Sequence, residues 1–520
     1  MTHLIKISPP IWPVFAYEFS IIKSLIEKKK RVIIWICSGD KTKINFCHAN
    51  PNMQKIVCLA CKSKLKNSLN KLKGKYDIIN DFDDSQKLKK EFKIFYKKQK
   101  KIPIEKIKYD NIDLGKGVQS TLFTLFKSKY SKSNTKFISL KLLEESFYIL
   151  KKIQNIVSHQ NIRKTLIFNG RHYNYRPILR YLSQKNHWVE SYDISNYSNK
   201  LIFSKNDYPH NLIERSKKVF KIKKIKSKKF LKNQGVKFFK KRFSENTSNN
   251  LIDNYEFSQN NSLPERFDKT KFNIMFFNTS LWEFKSIVEN KNFYLFKDDF
   301  EFINFLYKKY HKNKDVFFYF RCHPNMIGEQ NYLIKIKNRT SKFKNLLFIN
   351  PEDKINSKLL LANSDLVINF GSSIALEAGF LGKKIITLAP SIFSKFKFQN
   401  IFTTKKKLTN FIEYVLKIKL KNKLVFDKRV YEDALIASGA ASCEGVSFNS
   451  VIILDRYKQI YVNKKKYINL APSLFVNILF NLLITVKVIK KLIYFTFLDY
   501  NLTISKIQIF RKRIKNIYGI

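Results

Sequence analysis

Glycine and proline are scarce in this chain, 13 and 12 among 520 residues. That excludes a collagenous or linker-dominated protein. Six cysteines are too few for a disulfide framework. Acidic residues number 40 against 99 Lys and Arg, a formal charge of +59. The G-x-G-x-x-G fingerprint is missing from the first strand–helix junction, which excludes the usual nicotinamide or flavin site there. A basic-then-apolar leader is missing too, because Pro9, Pro10 and Pro13 interrupt the opening run. No secretory leader is therefore expected, and a reducing cytoplasm is the expected compartment.

What is present is a hydrophobic fraction of 44%, enough for sizeable cores. The length calls for two domains and an extension. The cationic excess suits a polyanion, either an anionic membrane or phosphorylated substrates. Lys, Asn, Ile, Phe and Tyr also share AT-rich codons, so coding bias with general solubility is the first account of the excess. No compact nucleic-acid signature interrupts the lysines, and no nucleic-acid partner is expected. Cys37, Cys47, Cys58 and Cys61 cluster early. The last two have metal-ligand spacing, but the first two are ten apart, and no metal site is assigned.

LIKIS (4–8), a helix-period run and RVIIWIC (31–37) form strand, helix and strand, the opening of a parallel α/β sheet. Residues 65–107 read as lysine-rich helix, with Asp81 and Asp83 as a helix cap. Gly115 and Gly117 flank a lysine before a helix-like run, a turn able to offer N–H groups to an anion. TLIFNG (165–170) is a strand and turn. Its end brings Asn169, Gly170 and Arg171 to the edge where α/β sheets bind ligands, and they are read as an acceptor loop. HWVESYDI (187–194) is a further strand, with Glu190 near its end. A polar stretch, 244–270, separates two units, 1–243 and 271–425, and 426–520 forms a basic C-terminal extension.

The densest chemistry lies between Asp315 and Pro390. VFFYF (316–320) is an apolar run suited to a strand covered on both faces. At its end Arg321 and His323 share one face by the period of two, and Pro324 stiffens the exit. A cation beside an imidazole suits phosphate or carboxylate oxygens. A second strand, DLVIN, leads through Gly371 to Ser372 and Ser373 at a helix start. Unsatisfied N–H groups and the helix dipole attract anions there. Glu377 lies one turn on and is placed to accept from sugar hydroxyls.

Arg-x-His-Pro after a strand, a Ser-Ser turn with Glu377 following, and a Gly-Lys-Lys-Ile-Ile strand together resemble the capsule polysaccharide biosynthesis proteins. These are bacterial glycosyltransferases of the GT-B type carrying HP and SS motifs. The resemblance spans about residues 271–400. It implies an α/β fold of two Rossmann-like domains facing across a cleft. It also implies donor-phosphate binding by His323, Ser372 and Ser373, with Glu377 a looser correspondence. The activity implied is metal-independent transfer of a sugar from a CMP- or UDP-linked donor to a capsular polysaccharide or lipid-linked glycan. No cofactor is expected beyond that substrate. The acidic Asp/Glu-Asp/Glu-Gly motif of the sialyl-transferring members is not found. His172 and Glu190 are therefore the candidate bases for an acceptor hydroxyl. A nucleotide-sugar epimerase of the same fold and a non-catalytic glycan-binding scaffold are the alternative readings.

Residues 467–486 carry no charge, and lysines begin at Lys487. Asn469, Pro472, Asn477 and Asn481 lower their hydropathy. An interfacial helix on the inner face of the bacterial membrane is the expectation, held to anionic lipid by lysines.

Overall fold

The computed structural model describes residues 2–9, 14–37, 55–80, 86–126, 135–244, 262–280, 286–287 and 295–447, apart from 196, 198, 199, 328 and 423. It also describes the backbone of a three-stranded antiparallel sheet, Val451–Leu454, Gln459–Val462 and Lys465–Asn469. Asp81, Asp83, Cys47 and most of the proposed membrane segment lie outside the described residues. Among the described residues no helix is long and apolar enough to cross a membrane.

Apolar runs alternate with helix-period runs, and this pattern builds two six-stranded sheets. The first uses β1 (Thr2–Lys6), β2 (Arg31–Ile36), β3 (Asp77–Asn80), β4 (Ile162–Phe168), β5 (Trp188–Ile194) and β6 (Leu201–Lys205). Its order is 3-2-1-4-5-6, parallel except for β6, which runs antiparallel to β5. The second uses β7 (Phe272–Phe277), β8 (Val316–Arg321), β9 (Leu346–Ile349), β10 (Leu366–Asn369), β11 (Lys384–Thr387) and the short β12 (Asn400–Ile401). Its order is β9-β8-β7-β10-β11-β12 and every pairing is parallel. Counted from its own first strand, that is again 3-2-1-4-5-6. Both units are therefore Rossmann-like, and each reverses direction between its first and fourth strands. Ligands of open α/β sheets bind outside the carboxyl ends of the strands at that switch point.

Burial follows from topology. All six residues of β7 are buried, as are all four of β10, because helices cover both faces of a parallel sheet. Leu4, Phe15, Phe19, Trp35, Phe147 and Leu166 anchor the first core. Ile274, Phe276, Phe302, Phe320 and Ile368 anchor one side of the second.

Four sequence expectations change. Residues 65–107 are not continuously helical: Asp77–Asn80 supplies the edge strand β3. The helices Leu212–Ile225 and Lys228–Ser244, placed with the first unit, bury Val219, Leu231 and Phe239 in one cluster with Met275, Tyr319 and Ile385 of the second sheet. Asp427 caps Arg429 and Val430, and a helix runs Lys428–Cys443 with Ala434, Ala437, Ala440 and Ala441 buried in that same cluster. This helix belongs to the core of the second unit, not to an extension. Small residues read as loop in a sequence, but they also let helices approach closely. A Cβ on Gly235 would stand 2.2 Å from the Leu435 carbonyl oxygen, and one on Gly439 would stand 2.0 Å from that of Leu231.

Gly115 and Gly117 likewise turn out to be packing residues inside the helix Leu114–Phe126. The Gly115 N–H donates to the Ile107 carbonyl over 3.0 Å. A Cβ at Gly115 would meet the Ile104 carbonyl oxygen at 1.6 Å. The pair offers no anion-binding turn.

Candidate functional site

Three neighbouring strand ends build the site in the second sheet. β7 lies between β8 and β10, with Phe277 in register with both Arg321 and Asn369. The residues just beyond are therefore brought side by side: Asn278 after β7, His323 after β8, and Gly371 to Ser373 after β10. Strand spacing puts the outer two roughly 10 Å apart, a span suited to a phosphorylated ligand.

His323 caps the short helical turn Pro324–Met326, and its Nδ1 accepts the Asn325 N–H over 3.0 Å. The proton of the neutral ring is then on Nε2, which makes that nitrogen a donor. The His323 N–H donates to Asn278 Oδ1 over 2.5 Å. Asn278 Nδ2 donates to Tyr332 OH over 3.3 Å, and Tyr332 OH donates to the buried Asp299. This chain of bonds reaches from the His323 backbone to the N-terminus of the helix Asp299–Tyr310. Burial and the Asp299 charge push the Cys322 thiol up to about 12, so it stays neutral beside the site. Ser280, two residues past Asn278, is buried, and among the described residues its hydroxyl has no hydrogen-bond partner.

At the β10 end, Gly371 takes φ +70°, the left-handed region that glycine enters at little cost. Asn369 shapes the turn. Its Oδ1 accepts the Ser372 N–H over 3.0 Å, and its Nδ2 donates to Thr387 Oγ1 over 3.1 Å. Ser372 Oγ accepts the Ile374 N–H over 3.4 Å. Ser373 stands at the start of the helix Ile374–Phe380, makes no side-chain cap bond and is half-buried.

Two expected ligand groups are engaged elsewhere. Arg321 was read as sharing a phosphate-facing surface with His323. It is buried instead, and its guanidinium donates to the Asn350 and Asp353 carbonyls, the latter over 3.1 Å. Cations bond carbonyl oxygens readily where a loop leaves them unpaired, and here the result is an ordered exit from β9. Glu377 was read as facing sugar hydroxyls. It is buried, and its Oε1 accepts from Arg242 Nε over 2.6 Å.

In the first sheet, Asn169 and Gly170 take φ +59° and +80° in succession after β4. Arg171 folds back, donating through Nε to Asn169 Oδ1 over 3.2 Å, and its NH1 reaches Ser286 Oγ. The Ser286 carbonyl accepts from Ser120 Oγ over 3.1 Å, and the Ile287 carbonyl accepts from Tyr208 OH over 3.1 Å. The segment following β7 thus docks on the carboxyl edge of the first sheet, and the predicted acceptor loop lies at that seam.

The two candidate bases fare differently from the loop. His172 follows β4 but is buried, with Nδ1 3.4 Å from Thr121 Oγ1. Glu190 pairs with Lys164 of β4. It sits four residues before the end of β5, roughly 13 Å below the crevice edge at strand rise. The reading of Glu190 as near the strand end is thus corrected: it lies mid-strand and pairs with Lys164. The acid at the β5 end is Asp193, which was missed. Its Oδ2 lies 2.7 Å from His210 Nε2 and accepts from Asn169 Nδ2 over 2.8 Å. Position one residue from a strand end was the available signal. The partner His210 lies in a loop, where spacing carries none.

Cys58 and Cys61 lie on the helix Lys55–Leu69. Among the described residues no group of three or more His, Cys, Asp or Glu is arranged to hold a metal ion.

The fold defines an α/β protein of two Rossmann-like domains with polar groups at both switch points. No family model matches the chain, and no curated protein matches its sequence. Solved structures similar to it include the β-Kdo 2,4 transferase KpsC of Thermosulfurimonas dismutans, at 10% identity and TM-score 0.31, covering 53% of this chain and 79% of that one. The β-Kdo 2,7 transferase KpsC of the same organism is 12% identical with TM-score 0.30, over 60% and 88% of the two chains. A UDP-GlcNAc 2-epimerase from Neisseria meningitidis, solved bound to UDP-GlcNAc, is 12% identical with TM-score 0.27, over 84% and 96%.

Proposed function

We propose that the chain is a glycosyltransferase that moves a sugar from a nucleotide-activated donor, CMP- or UDP-linked, to a glycan or lipid-linked acceptor. One observation carries this reading: adjacent strand ends at the switch point of the second sheet gather Asn278, His323 and Ser372–Ser373. The His323 Nε2–H and the Ser373 hydroxyl are donors for a departing phosphate, whereas the N–H groups of Ser372, Ile374, Ala375 and Leu376 are already bonded within the turn. Fixed donors aimed at developing charge lower a barrier because they need no reorganisation as the bond breaks. Arg321 and Glu377 serve this site by position. One orders the loop after β9, and the other ties the Ser-Ser helix to Arg242. The basic surface and the C-terminal residues would keep the enzyme near an anionic membrane bearing its acceptor.

A thermal-shift panel with CMP, UDP, GDP and their sugar conjugates tests the reading. A selective rise in Tm with one nucleotide supports it and names the donor class. No shift with any member, together with no nucleotide release from any sugar conjugate, sinks it.

A further inference from the structure

Resting on the transferase reading, the geometry points to Asp193 and His210 as the acceptor-activating pair, with His210 Nδ1 as the general base and Asp193 as the residue that positions it. Asp193 ends β5 beside the acceptor loop at the end of β4. Its Oδ1 accepts the Ile194 N–H over 2.7 Å, and its Oδ2 accepts from Asn169 Nδ2 over 2.8 Å and lies 2.7 Å from His210 Nε2. Asn169 Nδ2 also lies 3.1 Å from Nε2; in the neutral ring the anionic oxygen at 2.7 Å places the proton on Nε2 and leaves Nδ1 with the lone pair. Among the described residues nothing hydrogen-bonds Nδ1 of His210. Its side chain is 25% exposed and that of Asp193 is 15% exposed.

Burial alone pushes the Asp193 carboxyl up, but the His210 imidazole and the Ile194 and Asn169 donors hold it below its ordinary value. It is therefore the carboxylate that faces the ring. Tyr208, two residues before His210, bonds the segment following β7, and Asn169, which bonds Asp193, also holds Arg171 against Ser286 of that segment. The other charged groups nearby are committed. Arg171 is held by Asn169 and Ser286, and Asp207 accepts from Asn211 Nδ2 over 2.7 Å.

The step balances as a single displacement. The acceptor hydroxyl gives its proton to Nδ1 as its oxygen bonds the anomeric carbon. The anomeric carbon–oxygen bond to phosphate breaks, and the nucleotide leaves with the electron pair. The imidazolium formed is neutralised by Asp193 and returns its proton to water. No oxidant, reductant or further reactant is needed.

The test measures nucleotide release from UDP- and CMP-sugars by the full chain, with water as acceptor. His210→Ala is expected to lower kcat on the order of 10²- to 10⁴-fold, with nucleotide-induced thermal shift retained and part of the rate restored by added imidazole. Asp193→Asn is expected to lower kcat with donor KM unchanged. Should His210→Ala fold poorly, His210→Gln retains a donor to Asp193 but no base and is expected to lose the same rate. Wild-type kcat in the folded His210 variants, or a loss confined to KM, overturns the assignment while leaving the transferase reading intact. A wild-type chain that releases nucleotide from no donor overturns the transferase reading and the pair's role with it.

Discussion

Arg242 donates its Nε–H to Glu377 over 2.6 Å, joining the helix that ends the chain's first half to the helix that begins at the Ser372–Ser373 turn. The carboxylate is buried, whereas the arginine side chain is 30% exposed. Arg242→Ala therefore leaves a buried negative charge without this partner. The expected cost is about 1–3 kcal/mol, read as a lower urea midpoint. Glu377→Gln removes the charge but keeps an acceptor, so it is expected to cost less. Equal losses in the two variants would show that packing, not charge, holds the helices.

His323 and Ser373 stand side by side at the second switch point, where the proposed donor phosphate would bind. His323→Ala and Ser373→Ala are each expected to abolish turnover; Ser373→Ala should leave stability within about 0.5 kcal/mol of wild type, and His323→Ala, which also removes the cap on Asn325, should cost about 1 kcal/mol. Full activity in both variants would sink the donor site. His323→Asn, which keeps a backbone-capping acceptor but loses the Nε2 donor, is expected to resemble His323→Ala in rate.

The parallel sheets were legible because their strands are long apolar runs bounded by polar turns, as at VFFYF and DLVIN. Edge strands were not. β3 has three of four residues exposed, so it lacks the apolar signature, and β6 is an antiparallel addition after a loop. For the site, strand-end position located His323 and Ser372–Ser373. Side-chain commitment was invisible, because the Arg321 guanidinium donates to carbonyls 29 and 32 residues away. The Asp193–His210 pair depends on a tertiary contact between a strand end and a loop, which no spacing rule encodes. The helix Lys428–Cys443 was hidden by its small residues, whose value lies in what they allow a neighbouring backbone to do.

That neighbour is the helix Lys228–Ser244. Gly439→Ala places a methyl group 2.0 Å from the Leu231 carbonyl oxygen, and the listener atom is backbone, which cannot rotate away. The helices must separate, and overpacking of this kind costs about 1–3 kcal/mol. The expected result is a lower Tm with faster proteolysis around residues 228–244. Gly235→Ala, with 2.2 Å to the Leu435 carbonyl oxygen, is expected to do the same. An unchanged Tm in both would mean that the crossing is looser than these distances.

Glu18 makes stability depend on pH in an unusual direction. It is fully buried behind the end of β1, accepting from the Ser8 N–H over 2.7 Å, from Ser8 Oγ over 2.9 Å and from Tyr192 OH. Burial raises its pKa from the ordinary 4.5 to about 7, against the lowering effect of those donors. The folded state thus holds this proton more tightly than the unfolded chain does. Its contribution is full below about pH 4.5 and is lost as pH rises through about 7, a change on the order of 3 kcal/mol. Glu18→Gln keeps the side-chain shape and cannot ionise. Its Tm relative to wild type is therefore expected to be higher at pH 8 than at pH 5. A difference between the two proteins that is the same at both pH values would show that Glu18 is charged throughout, held so by Tyr192 and Ser8.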